Sequence, residues 1–474
     1  MKNKNVTFVR LAHNTIFDNP HPQQITPPLS DCYCASVLDD LGYKTTLIDT
    51  FTERYTLEKL TKDVKKTHPD FVIMDVMTTT SKLGLDLSKK LKDDLSIPIF
   101  FMGQHSSVLP QTFLFKNTPV DACIIGEPEE TISELFKNTE KNGDLSKIDG
   151  LAFFDEKKSK IVKTNPRKLI DNLDVLPFPK HSLYMNGKYN FYFPMKVRKR
   201  MIMGFMISSR GCPFNCIFCS PTLRVSYGKK YRLRSAKNVV DEMEFLMSEF
   251  DVNAIYFQDD NFTFDIKRVE RICNEIIKRN LKIAWSVQTR VDQLTRDLAR
   301  KMKKAGCSSI SLGAESGSER ILKILKKGIT LGQINKSFKI LKEERILTNT
   351  AFLIGNPTET LREMQMTLDL ALKLRPDSLQ VSIFTPYPGS ELFEKLNKNI
   401  PFEKFTHYND VTINLTNVSS EQIKRFHRRF YKKYYLTFNF MLNYLKWRLS
   451  YAMYNLKSEI DLIKSTLEFV FKKD

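Results

Sequence analysis

The chain reads as an α/β protein: a doubly wound, Rossmann-like N-terminal domain, then a (β/α)6 partial TIM barrel, then a helical tail. Three observations predict this. Short apolar runs alternate with helix-period segments from about residue 5 to 140. The same alternation resumes near 198 and runs to about 400. Beyond it, the stretch 421–449 interleaves basic and aromatic residues without glycine or proline, as a helix permits.

In the first domain, set at 1–147, strands are expected at 6–11, 45–49, 71–76, 97–102 and 122–126, with helices at 36–41, 57–67 and 83–91. This alternation builds a parallel sheet, whose ligands bind beyond the carboxyl ends of its strands. The loops at those ends are Met77-Thr78-Thr79-Thr80-Ser81, Gly103-Gln104-His105-Ser106 and Gly126-Glu127-Pro128-Glu129. They are small and polar, as a polar cofactor needs, so Thr79, Ser81, Gly103, Gly126 and Glu127 are candidate contacts.

The segment 148–197 reads as a linker with a small hairpin, 151–155 against 160–163, and an extended Leu176-Pro177-Phe178-Pro179-Lys180. The second domain, 198–410, has expected strands at 202–207, 254–258, 283–287, 309–312, 351–354 and 379–384. Helices are expected at 239–247, 269–279, 298–305, 319–325, 334–341 and 364–374. These units fit an open barrel better than a closed one of eight, and barrel chemistry sits at the C-terminal strand ends. The tail is 411–474.

The 474 residues are enough for two or three domains with substantial cores, and 42% hydrophobic content is ordinary for globular proteins. No apolar run reaches the ~20 residues a spanning helix needs. Met1-Lys2-Asn3-Lys4-Asn5 leads straight into an expected strand, so no signal peptide is predicted. Eight cysteines in so long a chain read as reduced, cytoplasmic thiols rather than a secreted disulfide scaffold. Net charge is +20, from 74 Lys and Arg against 54 Asp and Glu. Either acidic partners or a lysine-rich solvated surface explains it until the charge is located.

Cys212, Cys216 and Cys219 fall at a C-x3-C-x2-C spacing just after the first barrel strand. Thiolates suit iron–sulfur clusters and zinc. Three local thiolates hold three irons of a [4Fe–4S] cube and leave the fourth open to a substrate or cofactor. Structural zinc wants four ligands, usually in paired knuckles, and the sequence has no second C-x2-C pair. The cluster is favoured; the rival is a zinc-stabilised adaptor for nucleic acid or membrane. Cys32, Cys34, Cys123, Cys273 and Cys307 have no ligand spacing and are expected as core thiols.

Phe218 stands just before the last cysteine, Arg210-Gly211-Cys212-Pro213 opens the loop, Arg232-Leu233-Arg234-Ser235 follows it, and Gly313-Ala314-Glu315-Ser316-Gly317 comes later. With these words the sequence resembles the radical SAM superfamily, in the branch with an N-terminal cobalamin-binding domain, over roughly residues 5–400. The resemblance implies a cluster on Cys212, Cys216 and Cys219 whose open iron chelates S-adenosylmethionine. Reductive cleavage then gives a 5′-deoxyadenosyl radical that abstracts hydrogen from an unactivated carbon. With cobalamin, methyl transfer is the leading reading. The alternative is cyclisation, oxidation or carbon–carbon coupling by the same radical.

Pro27-Pro28-Leu29, Leu41-Gly42-Tyr43, the Gly103-Gln104-His105 turn and Ile125-Gly126-Glu127-Pro128-Glu129-Glu130 also resemble the cobalamin-binding domain. The Asp-x-His-x-x-Gly word of some corrinoid proteins is absent, so cobalamin is expected without a protein histidine on cobalt. His21 and His105 are expected as loop or packing residues.

The resemblance extends to the barrel's strand ends. Asp259 and Asp260 are placed to accept hydrogen bonds from the ammonium of S-adenosylmethionine, or else to cap the next helix. Arg290 could pair with its carboxylate, or form an ion pair within the protein. Glu315 matches the ribose-binding position, Gly355 would let backbone approach the adenine, and Phe218 would stack on it or simply pack. Pro386-Tyr387-Pro388-Gly389-Ser390 resembles the last cofactor-side turn. Implied partners are a small-molecule or lipid substrate and an electron donor such as flavodoxin or ferredoxin. The basic tail, with Lys424 to Lys433 and aromatics on to Trp447, reads as a barrel cap or as a peripheral contact with the inner face of the membrane. Nucleic acid is not the partner this reading favours.

Overall fold

A computed structural model of the chain describes residues 4–12, 25–139, 143–185, 189, 195, 201–219, 226–396, 400–408 and 410–437. Strands β1 (Asn5–Arg10), β2 (Lys44–Asp49), β3 (Phe71–Asp75), β4 (Ile99–Met102) and β5 (Ala122–Ile124) run parallel in the order β2-β1-β3-β4-β5. Their side chains feed both faces, as a doubly covered sheet requires. Phe8, Ile73 and Ile124 pack with Cys34 and Leu38 on one side; Val9, Met74 and Phe101 pack with Leu60 and Leu87 on the other.

The hairpin expected in the linker forms as β6 (Leu151–Asp155) and β7 (Lys160–Lys163), but it is not a separate linker feature. β6 pairs antiparallel with β5 and extends the sheet to seven strands. That pairing satisfies the row of backbone groups β5 would otherwise leave open at an edge. The first helix also begins earlier than its pattern suggests, at Leu29–Asp40. Buried Asp31 interrupts the apolar period there.

β8 (Met203–Met206) leads to a two-residue ribbon, β9 (Ser209–Arg210) with β10 (Arg232–Leu233). The barrel continues with β11 (Ala254–Phe257), β12 (Ala284–Thr289), β13 (Cys307–Glu315), β14 (Leu347–Ile354) and β15 (Ser378–Ile383). The six barrel strands are all parallel, in the order β15-β14-β13-β12-β11-β8. Serine, threonine or aspartate caps start the covering helices: Ser235, Asp265, Thr295, Ser318, Thr330 and Thr360 each accept a backbone N–H. β14 starts four residues before its expected bound because Thr348, Asn349 and Thr350 hide a strand whose register is set by its neighbours.

The N-terminal domain rests on the barrel's first strands, with Leu29 and Cys32 packed among Tyr184, Phe205 and Tyr256. In the tail, the helix Ser420–Tyr435 turns its aromatic face into the barrel. Ile423, Phe426 and Phe430 join the core, and Val381 N donates to the Tyr431 hydroxyl at 2.8 Å. The aromatic half of that helix is therefore a barrel cap. Arg425, Arg429 and Lys433 remain exposed on the opposite face. The later tail residues, from Phe438 through Trp447, and His21 lie outside the described residues. No helix among the described residues is long and apolar enough to cross a membrane.

Candidate active site at the barrel mouth

The loop after β8 is pinned before it reaches the first cysteine. Asp259, at the end of β11, accepts from Ser208 N at 2.7 Å, from Ser208 Oγ at 2.6 Å and from Ser209 Oγ. Arg268 donates to the Ser208 carbonyl at 2.6 Å. Gly211 then turns with φ +85°, and a Cβ there would stand 2.3 Å from the Lys230 carbonyl oxygen, so only glycine fits. Cys216 is buried, and Cys212 and Cys219 are half-buried. Ile217 anchors the loop's far side among Ile321, Leu325, Leu353 and Phe384, with Phe218 packed at its margin.

Two cations face the thiols. Arg290 lies over the Phe214 ring at 3.7 Å and points Nη1 at Cys216 Sγ, 3.9 Å away. Lys327 is buried, bonds Glu315 Oε1 at 2.7 Å and stands 5.5 Å from the Phe218 ring. Burial opposes the Lys327 charge, but Glu315 and then Cys216 outweigh it and raise its pKa. Burial pushes the Cys219 thiol up to about 12, with Asp260 and the other two thiols adding to it. Burial likewise raises Cys212. Cys212 and Cys219 thus hold their protons more tightly until a metal claims them, and the two cations then offset the charge that develops.

The expected contacts divide. Asp260 is half-buried and makes no hydrogen bond among the described residues; burial, then Asp259, push its pKa up to about 7. It is free to receive a cationic group. Asp259 is not, since the β8 loop takes both its oxygens. Arg290 already forms a two-pronged pair with Asp292, at 3.0 and 2.9 Å, so the ion-pair reading describes it as it stands. Glu315 sits at φ +62° at the end of β13, locked to Lys327. At Gly355 a Cβ would meet Ile383 and Ile423 at 3.5 Å, so that glycine faces the core rather than an open approach.

At the N-terminal sheet, Thr79 is half-buried and its hydroxyl is unbonded among the described residues, while Ser81 Oγ donates to the Thr78 carbonyl at 3.0 Å. Gly103 has φ +101°, and a Cβ there would come within 2.2 Å of Asp75 Oδ1. At Gly126 a Cβ would meet, among the described residues, only the Ser226 carbonyl at 3.9 Å. Glu127 departs from its expected role as a cofactor contact. Its Oε1 accepts from Arg210 at 3.2 Å, and its Oε2 from Arg232 at 2.7 Å and Ile170 N at 2.9 Å. His105 is a packing residue: buried, bonded to Thr78 and Thr112, edge-on to the Phe402 ring, and lowered to about 4 by burial.

The family model for the radical SAM superfamily matches residues 206–371, and that for the B12 binding domain matches 21–136. An uncharacterized methyltransferase, PH0819, from Pyrococcus horikoshii is 33% identical over 409 residues, covering 85% of this chain and 86% of its own length. The chain belongs to the radical SAM superfamily. The anaerobic magnesium-protoporphyrin IX monomethyl ester cyclase of Rubrivivax gelatinosus is 29% identical over 395 residues, covering 81% of this chain and 69% of its own. Among solved structures, the radical S-adenosylmethionine methyltransferase TsrM from Kitasatospora setae, with cobalamin and a [4Fe–4S] cluster bound, superposes with a TM-score of 0.63 at 19% identity. That match covers 83% of this chain and 75% of TsrM.

As a radical SAM enzyme with a B12 binding domain, the chain is not the zinc-stabilised adaptor its sequence left open. The donor set agrees. Among the described residues, no three His, Cys, Asp or Glu side chains converge on a single ion. The three thiols instead sit on one short loop, Cys212 to Cys219, which suits a cluster with one iron per sulfur. The other five cysteines are buried and free. At the B12-binding edge, the room left at Gly126 and the unbonded Thr79 hydroxyl, among the described residues, fit a ligand held by backbone and hydroxyl groups.

Sequence reasoning missed several groups. Lys327 carried no signal beyond a lysine before Gly328. Glu359 lies four residues after Gly355, with Oε1 unbonded and a pKa raised to about 8 by burial; that spacing was the available clue. Register aligns Asp49, Arg10 and Asp75 across the ends of β2, β1 and β3, and buried Asp31 lies beside Asp75 and Arg10. This acidic group occupies the sheet's switch point, where such folds bind ligands.

Proposed function

We propose that the protein is a cobalamin-dependent radical SAM methyltransferase acting on an unactivated carbon of a small molecule. The observation that carries this is the placement of the cysteine loop and the B12-binding edge together, with Arg210 before the first cysteine bonded to Glu127 and Glu129 beyond β5. The methyltransferase name of the 33% identical relative supports it.

Cys212, Cys216 and Cys219 would hold the cluster, and Thr79, Ser81, Gly103 and Gly126 would border the cobalamin. When bound, the cluster supplies the electron that cleaves S-adenosylmethionine and cobalamin carries the methyl group. The chain's own residues do the rest. Asp260 receives the ammonium of S-adenosylmethionine, Arg290 and Lys327 offset thiolate charge, and Phe218 with the Ile217 cluster keeps water from the loop. Glu315 stays in place for the ribose through its bond to Lys327.

A second reading, radical cyclisation or oxidation without methyl transfer, is favoured by the similarity to the magnesium-protoporphyrin ester cyclases. The reaction needs an external one-electron donor of flavodoxin or ferredoxin type. We place the protein in the cytoplasm, touching anionic membrane through Arg425, Arg429 and Lys433 rather than through Phe426, Phe430, Tyr431 and Tyr434, which are buried in the barrel.

The test is anaerobic reconstitution with iron, sulfide and cobalamin. About four irons per chain with stoichiometric corrin absorbance, then S-adenosylhomocysteine beside 5′-deoxyadenosine on turnover, would support methyl transfer. Iron and 5′-deoxyadenosine without corrin would favour the second reading. Zinc in place of iron would sink both.

A further inference from the structure

We propose that Glu127, Glu129, Arg210 and Arg232 form a joint through which filling the cysteine loop and filling the B12-binding edge alter each other's affinity. The inference rests on the reading that this chain binds both cofactors. None of the four residues is placed on a cofactor; they are positioning residues.

The four side chains are 2%, 1%, 2% and 1% exposed, two acids against two bases, so the buried network is balanced in charge. Arg210 and Arg232 are directly paired across β9 and β10. Two guanidiniums facing each other on adjacent strands repel unless a carboxylate stands between them. Glu127 supplies one, giving an oxygen to each, at 3.2 and 2.7 Å. Glu129 takes the other prong of Arg210 at 2.5 Å. Tyr33 and Tyr227 close over the Arg210 guanidinium at 5.2 and 5.1 Å.

The positions of these residues along the chain give the network its meaning. Glu127 follows Gly126, the open backbone at the end of β5. Arg210 precedes Gly211 and Cys212. Residues 208–210 thus carry anchors from both domains: Asp259 of the barrel holds Ser208 and Ser209, and Glu127 and Glu129 of the N-terminal sheet hold Arg210. A ligand that moves the β5 loop drags the base of the cysteine loop, because buried charge pairs tolerate little misalignment. By linkage the effect is reciprocal.

A network that merely glued the domains would change stability and leave the coupling untouched, so coupling is the readout. Hydroxocobalamin is titrated anaerobically into the full chain, with and without reconstituted cluster, and followed by corrin absorbance. The wild type should show dissociation constants that differ by about fivefold or more between the two states. Iron–sulfur loading with and without hydroxocobalamin should show the same factor. Glu127→Gln and Arg210→Lys should bring the ratio close to one, and Glu127→Asp should restore part of it. Glu363→Gln removes a largely buried charge wholly within the barrel, where it pairs with Arg320 and accepts from Thr360, and should keep the ratio. Thermal midpoint and iron content identify any variant that fails to fold, and the remaining joint variants then decide. A wild-type ratio of one, or a ratio unchanged in folded joint variants, overturns the joint alone. No cobalamin binding in either wild-type state overturns the proposed function and the joint together.

Discussion

At the barrel mouth, most charged side chains at the strand ends are answered by another group of the protein: Asp259 by Ser208 and Ser209, Arg290 by Asp292, Glu315 by Lys327. At the edge of the N-terminal sheet, the candidate contacts are glycine backbone and small hydroxyls. The acid among them, Glu127, turns away toward the barrel's arginines. At one site the candidate contacts are themselves organised by charge before any ligand arrives; at the other they offer shape, with the charge of Arg10, Asp31, Asp49 and Asp75 gathered behind them. Damage to the first should therefore appear as lost chemistry and unpaired charge. Damage to the second should appear as altered fit.

The largest expected effect is on the charged side. Cys216→Ser removes a buried sulfur beside Arg290 and Lys327. Reconstituted iron should fall sharply, and 5′-deoxyadenosine should drop to background, while cobalamin absorbance persists. Retention of cleavage would break the assignment of the loop. Next comes Glu127→Ala, which strands Arg210 and Arg232 in a site where both are buried. Removing one partner of a buried pair costs about 3–5 kcal/mol, readable as a large fall in the thermal midpoint. A loss as small as that of an exposed pair would mean that water reaches the joint.

Asp260 lies between the two regimes, charged but unanswered. Burial, then Asp259, push it up to about 7. Its folded pKa thus lies above its unfolded one, so the folded state binds the extra proton. The stability it contributes is greatest at pH below its ordinary range of about 4 and is lost as pH rises toward 7. Function runs the other way, because the carboxylate that receives an ammonium dominates above 7. S-Adenosylmethionine affinity should rise between about pH 6 and 8. Asp260→Asn should flatten that profile and weaken binding about tenfold, as loss of a charged hydrogen bond does. An unchanged profile would move the ammonium elsewhere.

The same contrast explains what the sequence disclosed. Cysteine spacing is local chemistry, so Cys212, Cys216 and Cys219 were legible at once, and strand–helix alternation gave both sheets. The role of Glu127 was not legible. Its partners Arg210 and Arg232 are 83 and 105 residues away, and only the packed domains bring them together. Lys327 and Asp31 escaped for the same reason: burial, not pattern, makes them notable. For the helix Ser420–Tyr435 composition could not choose between a barrel cap and a membrane face, because it does not say which face is buried. Tyr431 and Phe430 are in the barrel core.

On the shape side, Gly103→Ala should destabilise the N-terminal domain by about 1–3 kcal/mol. Its φ of +101° is unfavourable to a side chain, and the added carbon would press on Asp75. Cobalamin affinity should fall with it, and iron content should not. A matched loss of iron would erase the distinction between the two regions.

Thr79→Ala is the smallest and most diagnostic change. Without cofactor its hydroxyl is half-exposed and unbonded among the described residues, so its removal should alter stability by less than about 0.5 kcal/mol. If the hydroxyl serves the cobalamin, the holoprotein loses one hydrogen bond, roughly 0.5–1.5 kcal/mol, or about two- to tenfold in dissociation constant. The effect should thus appear in cobalamin titration and be invisible in the thermal midpoint of the apoprotein. Equal small losses in both would make Thr79 a turn residue and would leave Ser81 and the backbone to hold the cofactor at that loop.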